Sequence, residues 1–158
     1  MSSDFPEPEV GEYPERQIVA LARDFDMSTR DQIPQLWNDL WGREFSVENA
    51  VEGTAYGASF DFGEGGKFRY GVGFESTAPA NLPDGACVIT LTAGTYAVFR
   101  KRAPIAELPS LFDHIFQTWL PASPYQPAEG AVFERYPDDP DATETARMFE
   151  IWVPVAAK

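Results

Sequence analysis

The chain has 158 residues, 44% of them hydrophobic and 14% aromatic, which fits one folded domain with a sizeable core and excludes a disordered segment. Its net charge of −13 disfavours nucleic-acid phosphates and anionic membranes as partners; the charge either draws cationic ligands or serves solubility. With Cys87 the one cysteine and His114 the one histidine, no intrachain disulfide, cysteine zinc cluster or multi-histidine metal site can be built, so no metal is expected.

No run reaches the length of a membrane span, and the start lacks a charged-then-apolar signal pattern, so a cytoplasmic location is expected. Residues 1–14, acidic and proline-containing, read as an ill-ordered lead-in. Residues 17–22 (QIVALA) are short, apolar and partly β-branched, and read as a buried strand. Ser28, Thr29 and Asp31 are N-cap candidates for a helix with Pro34 in its first turn. Ile33, Leu36, Trp37, Leu40 and Trp41 recur at helical spacing and carry that helix to about Glu44.

Strands over 55–62 and 67–75 are joined by Gly63-Glu64-Gly65-Gly66, a hairpin connector. The glycines are no phosphate loop, because the lysine and the following helix of that motif are missing. A loop at 77–85 leads to a strand over 87–91, which turns at Ala93-Gly94 into another over 95–101. Ile105, Leu108, Phe112, Ile115 and Trp119 mark a second helix, with Pro109 in its opening turn and Pro121 as its stop. After a loop at 122–130 come a strand over 131–136, an acidic turn at 137–145 and a final strand over 149–155.

The order strand, helix, strand, strand thus occurs twice. Residues 33–41 (IPQLWNDLW) align without gaps on 108–116 (LPSLFDHIF), and 68–72 (FRYGV) on 149–153 (FEIWV), the offset drifting from 75 to 81. Such a repeat predicts an α+β fold: two βαββ units that form one curved antiparallel sheet, with two main helices on one face and a ligand cleft between them. One domain fills the chain, with a first repeat over 15–76, a linker carrying one strand over 77–92 and a second repeat over 93–158.

Within the strand of residues 131–136 lies Glu134. Alternation turns it the same way as Val132 and Tyr136, the latter toward the sheet edge. A carboxylate in that company is either at a solvated edge, paired with Arg135 or Arg69, or in an apolar pocket that must compensate its charge. Tyr56, Tyr70 and Trp152 lie on strands adjoining the expected cleft and carry polar handles, which suits a pocket wall as well as a core. Trp37 and Trp119 lie on the apolar helix stripes, where core packing competes with a ligand role. His114 falls off the stripe and reads as a solvated helix residue.

The ordered set Ile33-Pro34 to Trp37, Ala55-Tyr56-Gly57, residues 68–73 (FRYGVG), residues 93–99 (AGTYAVF), Trp119-Leu120-Pro121, Phe133-Glu134-Arg135-Tyr136 and residues 151–155 (IWVPV) resembles the GyrI-like small-molecule-binding domains over roughly 15–156. These domains also serve as effector-binding parts of AraC- and MerR-type multidrug regulators. The resemblance implies that Glu134 sits at the centre of a pocket between the helices and faces amphipathic, cationic aromatic ligands, with no cofactor. Aromatic walls would add cation–π attraction of about 0.5–2 kcal/mol per well-placed ring.

The two repeats use the chain up and leave nothing for a helix-turn-helix, so a stand-alone ligand-binding module is expected, with no direct nucleic-acid contact. A homodimer or a separate protein partner stays open. The same resemblance carries two alternatives: a hydrolase that opens strained rings of cytotoxic natural products with Glu134, and a gyrase-inhibitor-like protein interaction. A related haem-binding architecture has only the lone His114 to support it.

Overall fold

The computed structural model describes residues 5–42, 45–51, 53–143 and 145–158. In the first half, β1 (Glu9–Tyr13) and β2 (Arg16–Phe25) precede α1 (Ile33–Trp41), which is followed by β3 (Thr54–Phe60) and β4 (Phe68–Glu75). In the second half, β5 (Ala86–Leu91) and β6 (Gly94–Ala103) precede α2 (Leu108–His114). That helix runs through a π turn (Ile115–Trp119) into a last helical turn (Leu120–Ala122). Three strands close the chain: β7 (Tyr125–Pro127), β8 (Val132–Pro137) and β9 (Arg147–Ala157).

All strands among the described residues join one sheet in the order β1-β6-β9-β8-β3-β4-β2-β5, with β7 against β9, and every pairing is antiparallel. The central six, β6-β9-β8 and β3-β4-β2, mirror one another, as a duplication related by a pseudo-two-fold between β3 and β8 demands. The leading strands are exchanged: β1 pairs with β6 of the second repeat, while β5 pairs with β2 of the first.

Several local readings change. Residues 9–13, expected within an ill-ordered lead-in, form β1 because β6 offers them a partner edge. The first helix closes at Trp41 with Gly42 as its C-cap, and Glu44, its expected end, lies outside the described residues. Pro121 does not stop the second helix but sits inside its last turn. The wider π turn lies just upstream of this residue, which has no N–H to bond back. The Ser28 N–H, the Ser28 hydroxyl and the Thr29 N–H all bond back to the Asp26 carboxylate. The hairpin tip behaves as expected, with Gly65 and Gly66 at φ of 73° and 75°, values that favour glycine.

Both helices pack on one face of the sheet. Leu36 and Leu40 of α1 bury against Leu21, Phe25, Tyr70 and Val72. Leu111, Ile115 and Leu120 bury against Phe99, Phe149, Ile151 and Val153. Each such aliphatic side chain contributes about 2 kcal/mol by removal from water.

The other face holds a third cluster in which Tyr56, Tyr96, Phe133 and Trp152 pack with Ile18, Ile89 and Leu91. A polar chain runs beside it and crosses the β3–β8 junction. The Tyr56 hydroxyl donates to Glu75 at 2.9 Å and accepts from Arg135 at 3.3 Å. Arg135 and Arg100 then reach the two oxygens of Glu150 at 3.1 and 2.8 Å, and the Trp152 indole N–H adds a bond at 2.9 Å.

Glu150 is buried. Burial pushes its carboxyl up, but the bonds from Trp152, Arg100 and Arg135 outweigh this and hold it below the ordinary carboxylate value. A depressed folded-state value means stability that is present above the ordinary carboxylate range and lost as pH falls through the folded value. Glu150→Gln should therefore cost about 2 kcal/mol near neutral pH. Urea unfolding curves of variant and wild type should converge in acid.

Candidate functional site

Along β8 the side chains alternate. Phe133 and Arg135 face the aromatic cluster, whereas Val132, Glu134 and Tyr136 face the helices. Glu134 lies opposite Gly57 of β3. A Cβ at position 57 would stand 2.1 Å from the Tyr70 hydroxyl oxygen and 3.1 Å from Glu134 Oε1. The missing side chain is therefore what lets Tyr70, reaching over from β4, touch the carboxylate.

Glu134 is 4% exposed, and both tyrosine hydroxyls converge on its Oε1. Tyr70 donates at 2.5 Å and Tyr136 at 3.3 Å. None of the ion pairs among the described residues involves Glu134; its neighbour Arg135 points to the other face and belongs to Glu150. Burial pushes the Glu134 carboxyl up to about 7, although the hydrogen bonds from Tyr70 and Tyr136 pull the other way. Burial, then the charge of Glu134, drives both phenols well above their ordinary value, so they remain donors.

An aromatic wall leads outward from this lock. The Trp37 ring meets Tyr136 edge-on at 5.2 Å and stacks on Trp41 at 6.1 Å, and Trp41 meets Phe74 at 5.8 Å. These four rings, with Val51, Ala55 and Ile105, line a cavity of about 620 Å³ whose rim includes Asp138 and Arg147. Trp41 is 61% exposed, unusual for a tryptophan on an otherwise apolar helix stripe. Glu134 itself is not in the wall; Tyr136, whose hydroxyl it holds, stands between. Past the other end of β3 and β8, Phe60, Phe112, Phe116 and Val132 edge a hollow of about 1080 Å³.

Of the residues expected at the site, Glu134, Tyr70 and Trp37 come together. Tyr56 and Trp152 do not: Tyr56 pairs in register with Arg135 and Trp152 with Phe133, which places both on the opposite face. Trp119 is also elsewhere, packed against Phe99 at 5.0 Å and Tyr125 at 6.2 Å toward the outer edge of the sheet. His114 stacks on Phe5 at 3.9 Å. Gly57, Trp41, Phe74 and Tyr136 join Glu134, Tyr70 and Trp37, although the sequence pattern alone does not single them out. Strand alternation from Tyr70 to Phe74 and from Glu134 to Tyr136, and the i, i+4 step from Trp37 to Trp41, were the available signals.

Among the described residues no cluster of three or more metal-ligating side chains occurs, and no helix is long and apolar enough to cross a membrane.

A family model for the GyrI-like small molecule binding domain matches residues 6–156. A DNA gyrase inhibitor of Serratia proteamaculans (strain 568) is 36% identical over 64 residues, 40% of this chain and 41% of that protein. The matched stretch thus spans less than half of that relative's length. An integron cassette protein from Vibrio cholerae superposes with a TM-score of 0.71 at 14% identity, covering 96% of this chain and 97% of the other. SAV2435 bound to tetraphenylphosphonium gives 0.71 at 18% identity, covering 95% and 94%. The C-terminal domain of EcmrR, a protein also seen in complex with DNA, gives 0.64 at 16% identity, covering 97% and 99%. At such identities the superpositions establish the fold.

A raised folded-state value gives Glu134 a pH signature of its own. The folded chain keeps a proton that the unfolded chain releases between 4.5 and about 7, so stability falls as pH rises through that window, by about 3 kcal/mol in all. Glu134→Gln escapes this loss. In urea unfolding it should match wild type near pH 4 and exceed it by up to that amount near pH 8. Gly57→Ala should lose about 1–3 kcal/mol by overpacking, and tyrosine ring resonances in NMR spectra should shift at Tyr70.

Proposed function

The chain belongs to the GyrI-like small-molecule-binding family, and on that premise we propose that it captures amphipathic aromatic cations beside Tyr136, with Glu134 as their buried counter-charge. One observation carries this reading: a carboxylate sealed among aromatic rings with two phenol donors and no cationic partner among the described residues. Such a group is costly when ionised, and a lipophilic cation placed near it relieves that cost. Trp37, Trp41, Phe74 and Tyr136 would meet the cation with the negative faces of their rings, each worth about 0.5–2 kcal/mol. Flat walls without directional bonds favour breadth over sharp selectivity. The tetraphenylphosphonium held by SAV2435, a protein of the same fold, is a ligand of this chemistry.

For Glu134 to meet a ligand directly, Tyr136 must turn aside, which exchanges one phenol donor for the cation. Titration with tetraphenylphosphonium, read by tryptophan fluorescence, tests this. Binding should tighten as pH rises through about 7, where Glu134 ionises. Glu134→Gln should weaken it about tenfold or more and flatten the pH dependence. Undiminished affinity in that variant would rule out the carboxylate's role.

A second reading draws on the same titration. A carboxyl poised near neutral pH beside two phenols suits general acid–base chemistry on a strained electrophile. Many turnovers of a cyclopropane-bearing substrate per protein, abolished in Glu134→Gln, would establish a hydrolase. Binding that stops at one equivalent without product would dismiss it. A gyrase-directed role has the named relative and the acidic surface in its favour, and absence of gyrase in a pull-down with purified enzyme would close it.

A further inference from the structure

We propose that Arg147 makes the cavity select zwitterionic aromatic ligands, which carry an acidic group as well as a cation, over simple lipophilic cations. The inference rests on the pocket reading above and refines the ligand class.

Arg147 is the one cationic side chain among the described residues that line the cavity. Its guanidinium carbon stands 5.9 Å from the centre of the Tyr136 ring, while the hydroxyl of that same ring is bonded to Glu134 at 3.3 Å. One aromatic side chain therefore has a buried carboxyl at its hydroxyl and an exposed guanidinium over its face. None of the ion pairs among the described residues engages Arg147, and its side chain is exposed at the cavity rim.

A simple cation lying against Tyr136 gains Glu134 but displaces or opposes the guanidinium that already covers the ring. A ligand with its cationic end toward Glu134 and a carboxylate at the rim satisfies both charges at once. Arginine suits this position because it stays charged at every relevant pH and matches a carboxylate with two parallel N–H donors. Asp138 also borders the cavity and is exposed, as Arg147 is, so water screens both charges; of the two, the guanidinium is the one over the Tyr136 ring.

The test uses rhodamine B and its ethyl ester, which share one cationic ring system and differ in a free carboxylate. Fluorescence anisotropy titrations near pH 8 give both affinities. Wild type should bind the acid about two- to fivefold more tightly than the ester, the size expected of one partly screened charge pair. Arg147→Gln should erase that ratio by weakening the acid while leaving the ester unchanged or tighter. Glu134→Gln should weaken both dyes alike.

Equal affinities in wild type, or an unchanged ratio in Arg147→Gln, would overturn the selectivity. Glu134-dependent binding of both dyes would then leave the pocket reading standing. If neither dye binds, the pocket reading falls and the selectivity with it.

Discussion

A carboxyl taken out of water, with no cationic partner among the described residues, is the constraint around which the helix-bearing face is organised. Glu134 is held by two phenols on a single oxygen, and burial keeps its proton on to about pH 7. Everything adjacent follows from that placement. Gly57 must lack a side chain so that Tyr70 can reach across β3. Tyr136 must lie two residues on along the same strand, where it shares the carboxylate's face. Trp37 must close over Tyr136 from the helix. Each choice leaves the charge partly compensated, and ionising a partly compensated buried group is costly.

The contrast with Glu150 sharpens the point. Both glutamates are buried in neighbouring strands, yet Glu150 has Arg100, Arg135 and Trp152 around it and sits below the ordinary carboxylate value. Sheet parity separates the two. Glu134 and Arg135 are adjacent in sequence but project to opposite faces, so the arginine ties the two repeats together on one side while the glutamate is left without it on the other. One face is a completed polar network that crosses the pseudo-two-fold; on the other, a buried carboxyl is held by two phenols behind the Tyr136 wall of the cavity.

Much of this was legible in the chain itself. The gap-free match of residues 33–41 on 108–116 carried the duplication, and the duplication carried the single antiparallel sheet and the paired helices. The order of the strands, with β3 beside β8 at the centre, is shown by the structure alone. Alternation put Glu134 with Val132 and Tyr136, as found. Tyr56 and Trp152 went to the wrong face because alternation within a strand says nothing about which face pairs with which across strands. Only the register of Tyr56 opposite Arg135 and of Trp152 opposite Phe133 settles that. The partner edges that order β1 and β7 come from distant strands, a non-local effect no local pattern encodes. Trp119 satisfied the helical stripe in the plainest way, half-buried against the core at the end of the π turn.

The most direct test of the buried carboxylate as counter-charge is a count of protons. At about pH 6 the Glu134 carboxyl, with its value near 7, is mostly protonated, and a cation drawn to it must expel that proton. Calorimetric titration with tetraphenylphosphonium in buffers of different ionisation enthalpy should show about one proton released per cation bound. Binding that proceeds at that pH with no proton released would contradict the role assigned to Glu134.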